Sequence, residues 1–278
     1  MAVWDKIGRS GDVEDRRGQR TGFALGGGLT GLALLAAFTL FTGGDLGDVL
    51  RVVLQQATQQ TTTQQAGQPF EDTKDYEGFA GKVLGSTDEV WTQIFAQQQT
   101  EYVPPRLVLF RDRVQSGCGI ASSAVGPFYC PEDQTIYLDE TFFDAIQSQL
   151  GASTGGDDVA QAYVIAHEVG HHVQNISGTL KRFGNAQSDP ALSTKLELQS
   201  DCYAGIWAHS VSKQGIFENE NEIDEALELA SAIGDDKIQE KTTGQVNPET
   251  WTHGSSTDRV ESFKTGYRSG DVAVCNTF

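Results

Sequence analysis

The longest apolar run of the chain lies near its amino terminus. Nineteen residues, Phe23–Phe41, carry no charge, and they lie inside an uncharged stretch over residues 21–44. A helix of about 20 apolar residues spans the hydrocarbon core of a bilayer. The pattern therefore predicts a transmembrane helix over residues 21–44.

The basic residues around this run predict its orientation. Residues 1–20 contain five basic side chains, whereas Arg51 is the only one in the twenty residues after residue 44. The positive-inside rule then makes residues 1–20 a cytoplasmic basic segment and places the rest of the chain outside the cell membrane. A cleaved signal peptide and a buried core helix are the alternatives. The run is long for the first and has no polar face for the second, so we predict a retained single-pass anchor.

The apolar run is followed by a polar segment without hydrophobic periodicity. Residues 45–69 end in Gln55–Pro69, a stretch with seven glutamines and no charge. Because such a composition cannot bury apolar surface, we predict a tether here. The folded domain then covers residues 70–278, a usual length for one domain.

Net charge limits the classes of partner. The 278 residues include 20 basic and 38 acidic side chains, which gives a net charge of −18 and a sequence pI near 4.5. Binding to nucleic acid needs basic surface that such a chain lacks, so we expect no nucleic-acid partner.

The first candidate chemistry lies in a helix predicted over residues 157–178. Apolar residues recur at helical spacing along it, and Gly178 fits its end. His167 and His171 are four residues apart and share a face, so both imidazoles can reach one metal ion. Glu168 can lean over the open coordination position and deprotonate a water molecule there. A helix that carried these polar groups by chance would leave them unpaired in apolar surroundings, so we predict a zinc site.

A catalytic zinc ion takes a third protein ligand. Gln174 and Ser177 stand where the extended zinc motif has its glycine and its third histidine, which excludes that class. We predict Glu197, on the next helix, as the third ligand. Asp201, one turn along, would accept the free ring N–H of a ligand histidine. His209 is the rival third ligand, in a more polar stretch.

Neighbouring polar residues on the two helices also have simpler explanations. His172 points about 100° away from His171, so we expect a structural or supporting role for it rather than metal binding. An acidic pair four residues apart usually forms a solvated helix face. The position of Glu197 and Asp201 after the histidine motif favours the metal site instead.

The four cysteines do not have the spacing of a metal site. Export of the domain would permit disulfides. Of the three possible pairings we predict Cys118 with Cys130, which closes a short loop, and this leaves Cys202 with Cys275. Four unpaired core thiols are the alternative.

Several blocks together resemble a known family. HEVGHH followed by ELQSD resembles the glutamate-ligand zinc metallopeptidases, or gluzincins. VEDRRG near the start, SSAVGPFYCPEDQTIYLD, SDCYAGIWA and THGSS resemble the bacterial membrane-anchored neutral zinc metallopeptidases. The resemblance covers nearly the whole chain outside the tether. It implies an α+β fold with a small sheet and zinc-binding helices, one zinc ion per chain, and a peptidase acting on a peptide or protein.

The resemblance also suggests residues for substrate binding. QTIYLDE, over residues 134–140, alternates apolar and polar residues like a half-buried strand. In the related peptidases a strand before the zinc helix forms the edge of the cleft, and an ordinary sheet strand is the alternative. By resemblance, the residues that would pair with an extended substrate are Ile136, Tyr137, Leu138 and Asp139.

The segment THGSSTDRV carries His253 and Arg259, six residues apart. It resembles the histidine and arginine segment of membrane-associated gluzincins such as the CAAX-processing peptidases, in which both residues polarise the scissile carbonyl. A cation or N–H donor at this place would stabilise the developing oxyanion. A loop histidine and a surface arginine are the alternative.

These features predict a membrane-anchored zinc endopeptidase with Glu168 as general base. Two alternatives stay open. One is an envelope protein that binds zinc without proteolysis, although a structural site would need no base at Glu168. The other is a zinc amidase acting on cell-wall peptides.

Overall fold

The computed structural model describes residues 2–18, 75–150, 158–183, 189–217 and 221–278. Among these residues the chain forms a mixed α+β fold with a small sheet and many helices, which confirms the predicted class. The strands are β1 (Val13–Asp15), β2 (Arg106–Leu109), β3 (Arg113–Ser116), β4 (Gly119–Ser122), β5 (Phe128–Cys130) and β6 (Thr135–Leu138). The helices are α1 (Tyr76–Gln97), α2 (Thr141–Leu150), α3 (Asp158–Ile176), α4 (Thr179–Arg182), α5 (Pro190–Lys213), α6 (Asn221–Ala232), α7 (Asp235–Thr243) and α8 (Ser256–Ser269).

The main sheet has the strand order β1-β2-β6-β5. β1 and β6 both run parallel to β2, and β5 runs antiparallel to β6, with Tyr129 opposite Ile136. β3 and β4 form a separate antiparallel hairpin. Because β5 is the last strand on its side, the sheet ends there with an edge that bonds to no further strand among the described residues.

The largest of three buried clusters among the described residues joins the sheet to the helices. Leu107 and Ile136 of the sheet, Tyr163 of α3 and Trp207 of α5 all belong to it and are fully buried. α5 also packs closely against α8, because a Cβ at Gly266 would come within 1.9 Å of the carbonyl oxygen of Cys202. This close contact brings the residues of α8 next to the inner face of α5.

Residues 2–18 are part of this fold. Trp4 is buried, its ring stacks on Trp207, and its Nε1 donates to Asp158 at 2.6 Å. β1 pairs with β2 in the main sheet, with Val13 opposite Leu107. The prediction that the domain begins at residue 70, with residues 1–20 a separate basic segment, is therefore corrected for residues 2–18.

A buried charge network holds the end of this segment. Arg17 is 4% exposed, and its guanidinium donates to Asp15 at 2.8 Å and to Glu140 at 2.6 Å. Glu140 also accepts from Arg111, which lies beyond the end of β2. A buried arginine without its carboxylate partners would destabilise the fold. The ion pairs of Arg17 therefore hold residues 15–17 against the start of α2.

The predicted transmembrane helix over residues 21–44 and the tether over residues 45–69 lie outside the described residues. Within the part of the chain that the structure describes, no helix combines the length and the apolar character that a membrane crossing requires.

Both predicted disulfides are present. Cys118, in the turn between β3 and β4, is bonded to Cys130 at the end of β5. Cys202 of α5 is bonded to Cys275, in a short 3-10 helix over Val272–Cys275 near the carboxyl terminus. The second bond joins this tail to α5 one residue after Asp201.

Candidate metal centre

Two helices carry the candidate ligands. α3 has the two histidines of the motif, and α5 starts at Pro190 behind an aspartate cap and carries Glu197. At Gly170 the helices approach so closely that a Cβ would lie 2.3 Å from Ser200 Oγ. Ser200 Oγ also donates to the carbonyl oxygen of His167. A small residue between the two histidines therefore lets α5 bring Glu197 onto the histidine face of α3.

His167, His171 and Glu197 come together as the sequence predicts. One potential ligand atom from each lies within 4.8 Å of the other two. Nε2 of His167 is 3.1 Å from Glu197 Oε2, and Nε2 of His171 is 3.4 Å from Glu197 Oε1. The three donors thus face one point.

The donor set and its electrostatics fit a zinc ion. Two imidazole nitrogens and one carboxylate form a usual ligand set for catalytic zinc. Burial lowers the pKa of His167, but Asp201 and Glu197 outweigh burial and raise it to about 10. Burial raises the pKa of Glu197, but the charge of His171, hydrogen bonds from His167 and His171, and the charge of His253 bring it well below its usual range. The field at the donors therefore stabilises a positive charge, whether a proton or a metal cation.

Asp201 orients the first histidine. Its Oδ1 lies 2.8 Å from Nδ1 of His167 and accepts from the hydroxyl of Tyr163 at 2.5 Å. Burial raises the pKa of Asp201, but the charges of Arg259 and His167 outweigh it and lower the pKa to about 2. With Nδ1 of His167 hydrogen-bonded to this carboxylate, Nε2 is left for a metal, which is the role predicted for Asp201.

Arg259 differs from its predicted role. It is 2% exposed; its Nε donates to Asp201 Oδ2 at 2.9 Å and its Nη2 to Oδ1 at 3.1 Å. Nη2 also donates to the hydroxyl of Tyr163 at 3.1 Å, and Nη1 to the carbonyl oxygen of Ile233 at 3.3 Å. Because its N–H groups donate to these partners, Arg259 holds the carboxylate of Asp201 in place. This corrects the expectation that it polarises a substrate carbonyl.

The second histidine has a partner that the sequence analysis missed. Nδ1 of His171 lies 2.9 Å from Oε1 of Gln174, three residues along the same helix. In the sequence, Gln174 excludes the extended zinc motif. Its helical spacing from His171 was the available signal, because residues three apart lie on one face.

Glu168 lines the same cleft as the three candidate ligands. Burial raises its pKa, and the charges of His171 and His167 oppose this shift. A carboxylate whose pKa is raised towards neutrality is a better proton acceptor and donor than an ordinary surface glutamate.

His253 reaches the cleft from the loop before α8. Its side chain is 52% exposed, and its Nδ1 lies 3.2 Å from Oδ1 of Asp235, at the start of α7. Asp235 Oδ2 also accepts from three consecutive backbone N–H groups of the loop, at residues 252–254. Burial lowers the pKa of His253, but Asp235 and Glu197 outweigh it, so the net shift is upward. Asp235 was not identified from the sequence.

The substrate strand is corrected by the sheet order. Residues 135–138 form β6, which bonds to β2 on one side and to β5 on the other and is buried throughout. Asp139 is also buried, and it accepts hydrogen bonds from Arg111 and Thr141. The predicted residues Ile136, Tyr137, Leu138 and Asp139 therefore have no edge to offer a peptide. Among the described residues β5 is the end strand of the sheet that borders the cleft, and two of its residues, Phe128 and Tyr129, line that cleft.

The cleft in front of the ligands is mainly apolar. Its volume is about 580 Å³. Beside the metal-site residues and the β5 edge, its walls include Phe142, Ile146, Leu180, Phe183, Ile233 and Ile238. Such walls exclude water and favour apolar ligand groups.

The other two histidines lie outside the ligand group. His172 is fully buried; its Nε2 donates to the carbonyl oxygen of Val103, and its Nδ1 is 3.0 Å from the hydroxyl of Tyr129. Burial lowers its pKa to about 4. It is therefore a neutral residue that attaches β5 to α3. His209, the rival ligand, bonds to the carbonyl oxygen of Tyr267 instead.

Comparisons with known proteins agree with this site. The profile of the family described as "Putative neutral zinc metallopeptidase" matches residues 2–278. The Escherichia coli K12 "Uncharacterized protein YpfJ" is 39% identical over 289 residues, which cover 99% of this chain and 98% of that protein. The Mycobacterium tuberculosis H37Rv "Uncharacterized protein Rv2575" is 47% identical over 203 residues, which cover 69% of this chain and 67% of that protein. No solved structure matches the chain significantly. The family match covers almost every residue, and the chain therefore belongs to the neutral zinc metallopeptidase family.

Proposed function

We propose that this protein is a zinc-dependent endopeptidase. The observation that carries the proposal is the convergence of His167, His171 and Glu197 on one point, beside the buried carboxylate of Glu168 in an apolar cleft. A purely structural zinc site is usually closed by four protein ligands and needs no neighbouring base.

The zinc ion would be held by the three ligands. It would supply Lewis-acid chemistry, activating a water molecule and polarising the substrate carbonyl. Glu168 takes the proton of the attacking water and passes it to the nitrogen of the leaving amine, so that its carboxylate is regenerated. Asp201 and Gln174 keep the two imidazoles in the tautomer that leaves Nε2 available.

The peptide would lie along β5. The outer edge of this strand is open among the described residues, and Phe128 and Tyr129 line the cleft beside the ligands. An extended peptide can add to such an edge through main-chain hydrogen bonds. The apolar walls opposite would then take an apolar side chain next to the scissile bond.

His253 is placed to assist at the carbonyl oxygen. Its half-exposed ring lines the cleft, and Asp235 holds Nδ1 of the ring. A ring that donates through Nδ1 to Asp235 and through Nε2 to the substrate must carry both protons. The upward shift of its pKa favours this form. A donor there would stabilise the oxyanion.

Membrane association through residues 21–44 is part of the proposal, in a form that leaves residues 2–18 and the candidate zinc ligands on the same side of the membrane, because β1 pairs with β2. It is supported by the apolar run and by no described residue. Fractionation of cells with and without residues 21–44 tests it: anchored protein resists extraction by carbonate and the shortened form does not.

The test of the activity compares the full chain with its Glu168→Gln form on a broad peptide library. Glu168 is not a ligand in this proposal, so the variant should keep one zinc ion and lose cleavage by about 10² to 10⁴. Glu222→Gln, a buried glutamate of α6, is the matched control and should cleave at the parental rate. Parental protein that holds zinc fully and cleaves nothing would favour the non-proteolytic zinc protein, and cleavage restricted to cell-wall peptides would favour the amidase.

A further inference from the structure

The hydrogen bond between His171 and Gln174 is the first of a buried series of hydrogen bonds. Gln174 is fully buried, and its Nε2 donates to the carbonyl oxygen of Leu196 at 2.7 Å and to Oε1 of Gln199 at 3.1 Å. Both acceptors belong to α5, in the turn that carries Glu197. Gln174 therefore links the second histidine of α3 to the helix of the carboxylate ligand.

The series continues to the carboxyl-terminal tail. Gln199 is 6% exposed, and its Nε2 donates to the carbonyl oxygen of Cys275 at 2.9 Å. Cys275 is itself bonded through sulfur to Cys202, three residues after Gln199 on α5. The disulfide thus fixes the carbonyl group on which the last hydrogen bond depends.

The hydrogen-bond partners determine which end of each glutamine amide donates and which end accepts. Carbonyl oxygens only accept, so the amide nitrogens of Gln174 and Gln199 must face Leu196 and Cys275. Oε1 of Gln174 is then left to accept from Nδ1–H of His171. This sets the tautomer with a free lone pair on Nε2, the atom that faces Glu197.

We propose that Gln174 and Gln199 are positioning residues that make zinc affinity depend on the tail and on the Cys202–Cys275 disulfide. The inference rests on the proposed zinc site. Neither glutamine is one of the three converging donors or lines the cleft. Each acts through His171, whose ring orientation and tautomer it fixes.

The first test measures zinc affinity by competition with a chromophoric chelator, using the full-length protein. Gln174→Met removes the acceptor at similar size, and affinity should fall about 10- to 100-fold, the usual effect of losing such a partner. Gln174→Glu keeps an acceptor for His171 but loses the donor to Leu196 and Gln199, so its affinity should fall less than that of Gln174→Met. Val211→Ala, a buried change on α5 away from the ligands, controls for loss of stability. In the Co²⁺ form, the visible spectrum should change for Gln174→Met and not for Val211→Ala.

The second test addresses the tail. Gln199→Met and the Cys202→Ser/Cys275→Ser pair should each weaken zinc binding about 3- to 30-fold, a smaller effect than that of a direct histidine partner. A protein that combines these changes should lose no more zinc affinity than the more severe of the two alone, because both interrupt the same series of hydrogen bonds. Fully additive losses would show that the disulfide does not act through Gln199 and would overturn that part of the proposal.

The outcomes separate this inference from the zinc site itself. Glu197→Ala should weaken zinc binding far more than any change at Gln174, Gln199 or the disulfide. Equal zinc binding by Glu197→Ala and the parent would contradict the proposed zinc site. If the parent binds zinc and Glu197→Ala does not, parental affinity in Gln174→Met overturns the positioning role. Equal losses in Gln174→Met and Gln174→Glu would overturn it too.

Discussion

The guanidinium of Arg259 donates two hydrogen bonds to the carboxylate of Asp201, at 2.9 and 3.1 Å, in the interior of the protein. The carboxylate therefore stays ionised although burial opposes this, and its pKa falls to about 2. The same carboxylate holds Nδ1 of His167. A residue 58 positions further along the chain thus maintains the charge behind the first ligand.

Arg259→Met should therefore act on stability and on zinc affinity. Removing one partner of a buried ion pair leaves the other charge uncompensated, which costs about 3 to 5 kcal/mol. Thermal unfolding measures this loss. Arg268→Met, at a side chain 67% exposed, is the control and should change stability by less than about 0.5 kcal/mol. An Arg259→Met protein with parental stability and zinc content but lower turnover would restore the direct catalytic role.

His253→Ala should lower turnover by about 10² if the ring donates to the oxyanion. Zinc content should not change, because His253 is not among the three converging donors. Steady-state kinetics on a cleaved peptide, with elemental analysis of the same sample, makes the measurement. His209→Ala should leave turnover unchanged, since His209 bonds to Tyr267 outside the cleft. Loss of zinc in His253→Ala would contradict this assignment.

Local sequence spacing predicted the metal site well because its determinants are local. His167 and His171 occupy one helix, and Glu197 and Asp201 occupy another, so helical periodicity predicts that each pair shares one face of its helix. The α+β class was implied by the resemblance to the zinc metallopeptidases, and the structure confirms it. The gluzincin fold stays a prediction.

The errors concern contacts between distant parts of the chain. The alternation in residues 134–140 indicated one exposed face, but all four residues of β6 are buried between β2 and β5. β5 has three residues and gives too short a pattern to recognise. The partner of Arg259 and the strand that pairs with β1 depend on tertiary packing, which no local window contains.

The stability of the protein should depend on the protonation of Asp88. This residue of α1 is 2% exposed, with a long 3.5 Å contact from the hydroxyl of Tyr102. Burial raises its pKa from 3.8 to about 7, against the opposing effect of Arg9. Between these values the unfolded chain releases a proton that the folded chain keeps. The contribution of Asp88 to the free energy of unfolding therefore falls as pH rises from about 4 to 7, and is constant above pH 7.

Asp88→Asn should remove this dependence. Near pH 4 the variant and the parent should be about equally stable, and at pH 8 the variant should be more stable by on the order of 4 kcal/mol. Urea unfolding at several pH values gives the difference. Asp112→Asn, at a residue outside the core, serves as control. A constant difference across this pH range would show that Asp88 does not titrate in it.

Trp4→Ala should destabilise the whole domain. The ring is 8% exposed, stacks on Trp207 and packs against Phe79 and Phe217. Truncation of a buried tryptophan costs about 3 to 5 kcal/mol. Chemical unfolding of the full chain measures the effect, with Val246→Ala, at a side chain 48% exposed, as the control. A Trp4→Ala protein of parental stability would mean that residues 2–18 fold separately.

The pairing of β1 with β2 has a consequence for membrane topology. Val13 lies opposite Leu107 within one sheet, and residues 19–74 join the two parts. One passage of that connection through a bilayer would put β1 and β2 on opposite faces of the membrane, where they could not share hydrogen bonds. A molecule in which this sheet is formed therefore keeps residues 2–18 and the candidate zinc ligands in the same compartment, and reagents that cannot cross a membrane should reach both or neither.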